Sequence, residues 1–396
     1  VLMQNQIKLL PLAGNVEPAV RALGWEWAVE EACQNYVARE AVQLPEATAD
    51  ELLQAADTLY DLLVQSIPDP IPDALLRELS IPGVLWEAVR HSWNDERHWH
   101  LYGRFDLAQT PDGPKLLEFN ADTATSLPET AVVQWASLVA AGLADEDRQA
   151  NGLVEGLQEQ LRQWLMLNED LEPSLLLVHL PGSAEDATNC AVVMEAALTA
   201  GFAQVHICPV DDMQVATQGE ERGVWAQTGP EEWQRFGFVF KLVPWELLAE
   251  EEPDLTRNLT DLLRSRDVII ANPAYSLLFQ SKGMLAWLWR CFPHHPLLLE
   301  TAATELVGHQ VRKPVLGREG QDVAELGGAA GPVLPEPGEY AAQPVIYQRF
   351  AELPHDEAGR LYQAGVFWAG QGCAIGFRRE AGVITNLSEF VPHVLA

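Results

Sequence analysis

The chain has 396 residues, 48% of them hydrophobic, with 57 acidic against 25 basic residues and a formal net charge of −32. That length and apolar content provide for more than one domain core, while the charge repels nucleic acid and anionic membranes and favours cationic partners. No apolar run approaches the roughly 18 residues of a membrane span. The start Val1-Leu-Met-Gln-Asn-Gln lacks a leader pattern and the five scattered cysteines form no CxxC, so a reduced, cytoplasmic setting is expected.

Residues 14–66 show apolar positions at helical spacing (Leu23, Trp27, Ala28, Val29, then Leu52, Leu53, Leu59, Leu62, Leu63), ended by Ile67-Pro-Asp-Pro-Ile-Pro72. Residues 98–108 and 114–120 alternate as strands, and Thr110-Pro111-Asp112-Gly113 supplies a turn between them. Symmetry about Asp112 sets Asp106 opposite Glu118 and Arg104 opposite Asn120 on one face, with Phe105, Leu107, Leu117 and Phe119 on the other. Opposed carboxylates with Cβ atoms about 5 Å apart repel unless a positive group lies between them. A hard divalent cation shared with phosphates meets that need, and a solvated acidic edge neutralised by Arg104 is the plainer alternative. Ser126-Leu-Pro-Glu129 reads as a capping box opening a helix over 127–142, whose free N–H groups offer a place for an anionic substrate group.

A helix over 150–167 follows, and then the pattern changes. Strand 175–180, helix 184–200, strand 204–209, strand 236–242, helix 253–265 and strand 267–272 alternate as in an open parallel α/β subdomain. Strands return at 310–316, 344–350, 363–369 and 373–379, so the fold class is mixed α/β. The Gly- and Pro-rich stretch Gly317–Gly338 reads either as a surface loop or as a lid over phosphates. Only five lysines occur: Lys8 and Lys115 read as surface residues, Lys241 ends an apolar strand, and an ammonium at Lys241, Lys282 or Lys313 suits point-charge contact with phosphate, ordinary surface placement being the plainer alternative. Arg378 at an apolar strand end needs either a phosphate or a buried ion pair. The ten histidines, among them His91, His98, His100, His294 and His295, show no metal-ligand spacing.

Gly103-Arg-Phe-Asp106 with Glu118-Phe-Asn-Ala-Asp-Thr-Ala-Thr-Ser126 resembles the synthetase domain of glutathionylspermidine synthases and their stand-alone relatives, ATP-grasp ligases that join a carboxylate to an amine. The resemblance recurs in order at Phe240-Lys-Leu-Val-Pro-Trp-Glu246, Phe279-Gln-Ser-Lys-Gly283, Arg312-Lys-Pro-Val-Leu-Gly-Arg-Glu-Gly320, Gly376-Phe-Arg378, Ile384-Thr-Asn-Leu-Ser388 and Phe390-Val-Pro-His393. It implies a rearranged-order ATP-grasp fold, the acidic hairpin preceding the nucleotide lysines, with an inserted open α/β (pre-ATP-grasp-like) subdomain. The expected divisions are 1–97 (helical), 98–170 (metal-binding hairpin and helices), 171–275 (α/β) and 276–396 (nucleotide lysines, lid and last strands).

The resemblance further implies ATP and one or two Mg2+ ions, the metal on Asp106, Glu118 and Asn120, and ATP on Lys282, Lys313, Arg318, Gly320 and Gln348. It gives Arg104 and Arg378 to charge neutralisation during catalysis, and Asp122, Thr123, Thr125, Ser126 and Glu129 to the substrates, with Asp122 and Glu129 facing the amine. The substrates implied are a peptide or small-molecule carboxylate and an amine of the polyamine class, and a homodimer fits the family's tendency. Thr123-Ala-Thr125-Ser126 resembles the stand-alone relatives, and the first hundred residues resemble only the start of the synthetase, so no amidase activity is expected. A catalytically inactive ATP-grasp that binds nucleotide or polyamine, and a metal-dependent hydrolase, are the alternatives.

Overall fold

The computed structural model describes residues 6–29, 36–144, 148–329, 331–385 and 387–396; residues 30–35 of the expected helical stretch, Ala330 of the Gly-rich segment and Asn386 lie outside the described residues. Helical spacing over 14–66 does not give one helical region. The order is β1 (Leu9–Pro11), a short α1 (Glu17–Ala22), β2 (Glu40–Leu44) and only then α2 (Glu46–Ser66). Ala41, Val42 and Leu44 are buried in β2, which pairs antiparallel with β1 and parallel with the C-terminal strand His393–Leu395. Pro45 then stops α2 from extending backwards through it. The short helices α3 (Asp73–Glu78) and α4 (Trp86–Trp93) follow.

β3 (Gly103–Thr110) and β4 (Gly113–Asn120) form the hairpin, with Asp106 opposite Glu118 and Arg104 opposite Asn120. β3 starts at Gly103 rather than 98, because His98 and His100 lie in a buried approach segment where His100 Nε2 meets the Ala121 carbonyl at 2.7 Å. A bulge after Asp106 pairs Leu107 with Leu116 instead of Leu117. Leu116 therefore enters the core and Leu117 turns toward the cleft, which corrects its expected place on the packed face.

Two helical stretches come next: a π turn over Glu129–Val133 running into α5 (Gln134–Ala140), then α6 (Leu153–Leu167). No capping box opens the first. Ser126 has φ +75°, away from the extended N-cap geometry, Arg104 and Arg378 donate to its hydroxyl, and the Glu129 carboxylate turns to Tyr36 and Arg378. The N–H of Leu127, two residues before that turn, is taken by the Asn189 side chain at 3.0 Å.

The α/β part runs β5 (Ser174–His179), α7 (Ala184–Ala200), β6 (Gln204–Pro209), a meander of β7 (Gln214–Ala216), β8 (Gly223–Gly229) and β9 (Glu232–Phe236), then β10 (Phe238–Lys241), α8 (Trp245–Glu251), α9 (Pro253–Ser265) and β11 (Ile269–Ala271). The sheet β11-β10-β5-β6 is parallel throughout, as expected; the antiparallel meander was not foreseen. After α10 (Ser276–Gln280) and α11 (Gly283–Cys291) come β12 (Thr301–Ala302), β13 (Gln310–Pro314), β14 (Ala324–Leu326) and β15 (Val345–Arg349), an antiparallel sheet ordered β12-β15-β13-β14. β16 (Leu361–Trp368), β17 (Gly372–Glu380) and β18 (Glu389–Val391) join the hairpin as the sheet β18-β17-β16-β3-β4, and β19 (His393–Leu395) ends against β2. Leu52, Ala56, Leu59 and Leu63 of α2 share one core with Phe105, Leu107, Leu116, Val366 and Phe377 of that sheet, which leaves its other face for the cleft. Among the described residues no helix is long and apolar enough to cross a membrane.

Candidate active site

The open face of the five-stranded sheet carries Arg378 on β17, Gln363 opposite it on β16, Arg104 and Asp106 on β3, and Glu118 and Asn120 on β4. All six line a cleft of about 1320 Å³. Gly365 sits opposite Asp106 on β16, and a Cβ there would stand 3.1 Å from Arg104 Cδ, so the missing side chain gives Arg104 room to lie across the strands. Arg104 grips Asp106 through Nε (2.7 Å) and Nη2 (3.0 Å), and its Nη1 donates to the Thr125 carbonyl at 2.9 Å. Asn120 Nδ2 donates to Asp106 at 3.2 Å. Burial raises the Asp106 carboxyl, with Arg104 opposing. Glu118 differs: burial would raise it, but Lys282 at 3.0 Å and Lys313 outweigh burial and hold it at about 2.

The facing wall comes from the four-stranded sheet and the helix α11. Gln348 pairs with Val311, two residues before Lys313, so Gln348 and Lys313 share a face and bond each other at 2.7 Å. They close onto the bulge: Lys313 Nζ donates to the Leu117 carbonyl and Gln348 Nε2 to the Leu116 carbonyl, each at 3.0 Å. Lys282 donates to the Gly317 carbonyl at 2.7 Å. Arg318 donates to Thr123 Oγ1 at 2.9 Å and pairs with Glu246 at the start of α8. Gly320, at φ +72°, brings its backbone so near the Ile384 carbonyl that a Cβ would meet it at 2.9 Å. The Gly317–Gly338 segment is more than a loop. It contains β14, and the Asp322 carboxylate accepts the N–H groups of Gly338 (2.7 Å) and Tyr340 (2.9 Å).

Thr123 and Thr125 line the cleft; Asp122, Ser126 and Glu129 do not. Asp122 is sealed beneath it, bonded to Lys241 at 2.6 Å, the Trp245 N–H at 3.0 Å and the Ser276 hydroxyl at 3.1 Å. Its expected contact with the amine is therefore corrected: Asp122 is held in a buried ion pair with Lys241, away from the cleft. Burial raises Asp122 and lowers Lys241, each partner opposing the other's shift. Glu129 is likewise enclosed: it accepts from Tyr36 and lies 3.3 Å from Arg378 Nη2, while Ser126 Oγ accepts from the same nitrogen at 2.6 Å. Both residues brace Arg378 from behind.

Three residues lining or bracing the site escaped the sequence reading. Gln280 Oε1 accepts the N–H groups of Ala121 (2.8 Å) and Asp122 (3.0 Å). Asn272 accepts the Leu101 N–H and donates to the Tyr102, Ala121 and Asp122 carbonyls, tying the end of β11 to both ends of the hairpin. Gln363 is seen only once Arg378 has a register partner, whereas Gln280 lies inside the Phe279–Gly283 segment already noted. The cleft also has acidic walls: Glu185 and Asp186 open α7, and Glu250 and Glu319 stand nearby. Burial and the neighbouring Glu129 push Glu185 up to about 7.

Residues 9–396 match the family described as glutathionylspermidine synthase pre-ATP-grasp. A Haemophilus influenzae protein with the provisional name acid–amine ligase is 29% identical over 360 residues, covering 88% of this chain and 87% of that protein. The bifunctional glutathionylspermidine synthetase/amidase of Escherichia coli is 28% identical over 355 residues, and the trypanothione synthetase of Crithidia fasciculata 25% over 363. Those alignments cover 83% and 84% of this chain but 54% and 52% of the relatives, so the chain spans about half their length. Among solved structures, the apo form of a glutathione synthetase-like effector from Globodera pallida superposes with a TM-score of 0.51 over 90% of this chain and 89% of that one, at 10% identity, a likeness of fold alone. With the match running from the first strand to the last residue, the chain belongs to the glutathionylspermidine synthase pre-ATP-grasp family.

Proposed function

We propose that the protein is an ATP- and Mg2+-dependent acid–amine ligase built on a rearranged ATP-grasp. The observation that supports this is the convergence of Asp106, Glu118 and Asn120 with Lys282 and Lys313 on one cleft. The donor set suits a hard cation: two carboxylates stand directly opposed, and the Asn120 amide nitrogen turned to Asp106 leaves its oxygen for the metal. Mg2+ bound there would offset the charge of the ATP phosphates. Lys282 and Lys313 supply point charges to those phosphates, and Arg318 and Gly320 lie beside them on the roof of the cleft.

In the proposed reaction an oxygen of the substrate carboxylate attacks the γ-phosphorus and the bond to ADP breaks, giving an acyl phosphate. The amine then attacks the acyl carbon, loses a proton, and expels phosphate together with that former carboxylate oxygen. Arg104 and Arg378, rigid forks on the open sheet face, hold the carboxylate and neutralise charge as it builds. The acidic walls favour a cationic amine of the polyamine class. The names of the relatives agree with a carboxylate–amine product, for which a peptide of the glutathione type is the natural carboxylate. Release of ADP from Mg-ATP, measured across a panel of peptide carboxylates and polyamines, tests this. Sustained ADP release is expected only when acid, amine and Mg2+ are all present; ADP released in the absence of any carboxylate substrate, or no binding of ATP, overturns the reading.

Lys313 gives a pH signature. Burial lowers its ammonium, Glu118 opposes the fall and Lys282 adds to it, leaving it at about 8. A lysine holds phosphate only while protonated, so ATP affinity is expected to be full below pH 8 and to weaken as pH rises through that value. Calorimetric titration with Mg-ATP from about pH 6.5 to about pH 9.5 should show the break, with Lys313→Met binding roughly tenfold weaker and without it. A wild-type profile flat across that window would contradict the role.

A further inference from the structure

Outside the cleft, the end of α4 and the turn after it bring His91, Asp95 and His98 together, a grouping that their spacing did not suggest. One ring nitrogen of each histidine and a carboxylate oxygen of Asp95 all lie within 4.8 Å of one another. His98 is only 4% exposed, and its Nδ1 has no hydrogen-bond partner among the described residues. The same is true of the buried Nε2 of His91. Two unpartnered imidazole nitrogens beside a carboxylate are costly to bury empty, and an ion that accepts their lone pairs removes the cost.

Neighbouring charges leave room for such an ion. Arg266 lies 3.7 Å from Asp95, a loose contact from a side chain that is 60% exposed. Arg97 is drawn off by Asn168 (3.1 Å) and Asp170 (2.9 Å), while its backbone N–H donates to Asp95 Oδ1 at 3.1 Å and orients the carboxylate.

We propose that His91, Asp95 and His98 hold one divalent transition-metal ion of the zinc type, in a second metal site of this protein. Two imidazoles and a carboxylate suit such an ion better than Mg2+, which prefers oxygen throughout, and three protein donors leave a position for water. Bonds of about 2.1 Å in a tetrahedron need donors ~3.4 Å apart, so the three side chains close by ~1.4 Å at most on binding. The bound ion clamps the end of α4 to the segment that feeds β3. The same stretch is already tied inward, where Ser92 Oγ accepts the Tyr275 N–H at 3.1 Å.

The test is titration of the chelator-stripped full chain, free of nucleotide and Mg2+, with Zn2+ by calorimetry and with Co2+ by visible absorption. One ion per chain is expected, with tetrahedral or five-coordinate Co2+ bands and a higher melting temperature with Zn2+. His98→Gln and the more exposed Asp95→Asn should each weaken binding at least roughly tenfold. Glu118→Gln, in the cleft, should leave it unchanged. The metal-free melting temperature of Asp95→Asn should match wild type, which separates lost binding from lost folding. No Zn2+ binding by wild type, or binding that survives both site variants or disappears in Glu118→Gln, overturns the site.

Discussion

Glu118→Gln is expected to lower the rate of ADP release by on the order of 10³-fold while leaving the melting temperature within a few degrees of wild type. Glu118 stands opposite Asp106 and 3.0 Å from Lys282, and the lysines hold it at about 2, so it is ionised throughout the physiological range. Glutamine keeps the shape and a donor–acceptor pair but removes the charge that a Mg2+ ion and two lysines would share. Because Glu118 reaches partly into the cleft rather than into the core, the loss falls on chemistry more than on folding. Steady-state ADP release and thermal melts on one preparation measure both quantities. A loss of less than about tenfold would remove Glu118 from the metal site.

The second large effect is on stability. Lys241→Met is expected to destabilise the protein by about 3–5 kcal/mol, lowering its melting temperature by on the order of 5–10 °C. Lys241 and Asp122 are 2% and 0% exposed and 2.6 Å apart, so removing the lysine strands a buried carboxylate. That carboxylate also fixes the Trp245 N–H and the Ser276 hydroxyl, which ties α8 and α10 to the loop leaving the hairpin. Asn at 122 can accept the Trp245 N–H through Oδ1 and donate through Nδ2 to the Ser276 hydroxyl oxygen, so the double variant Asp122→Asn/Lys241→Met should recover much of the loss. Denaturant unfolding of the four proteins gives the coupling energy. Additive effects would show that the two side chains do not act as a pair.

The hairpin was legible because its signal is local: alternation on both arms and a Thr-Pro-Asp-Gly turn fix which residues face one another. The α/β part was legible for the same reason. Ser183 caps α7, Gly201 ends it in a left-handed conformation, and Pro253 opens α9, so Ala184–Ala200 and Pro253–Ser265 fall where their end signals put them. The bulge after Asp106 has no mark in the sequence, and one extra residue sent Leu117 to the wrong face. β2 was hidden because its partners lie at the two ends of the chain, and five residues of apolar spacing cannot distinguish strand from helix. Asp122 was misjudged because the residue that neutralises it is 119 positions away. A carboxylate inside a motif looks the same in sequence whether it faces a substrate or a buried lysine.

The most direct test of the ligase chemistry follows an oxygen atom. A peptide carboxylate labelled with oxygen-18, incubated with the enzyme, Mg-ATP and its amine partner, should transfer one labelled oxygen to the phosphate released for each ADP formed, read by mass spectrometry. That result requires the carboxylate to have been phosphorylated before the amide bond formed. Unlabelled phosphate accompanying amide product would contradict the acyl-phosphate route.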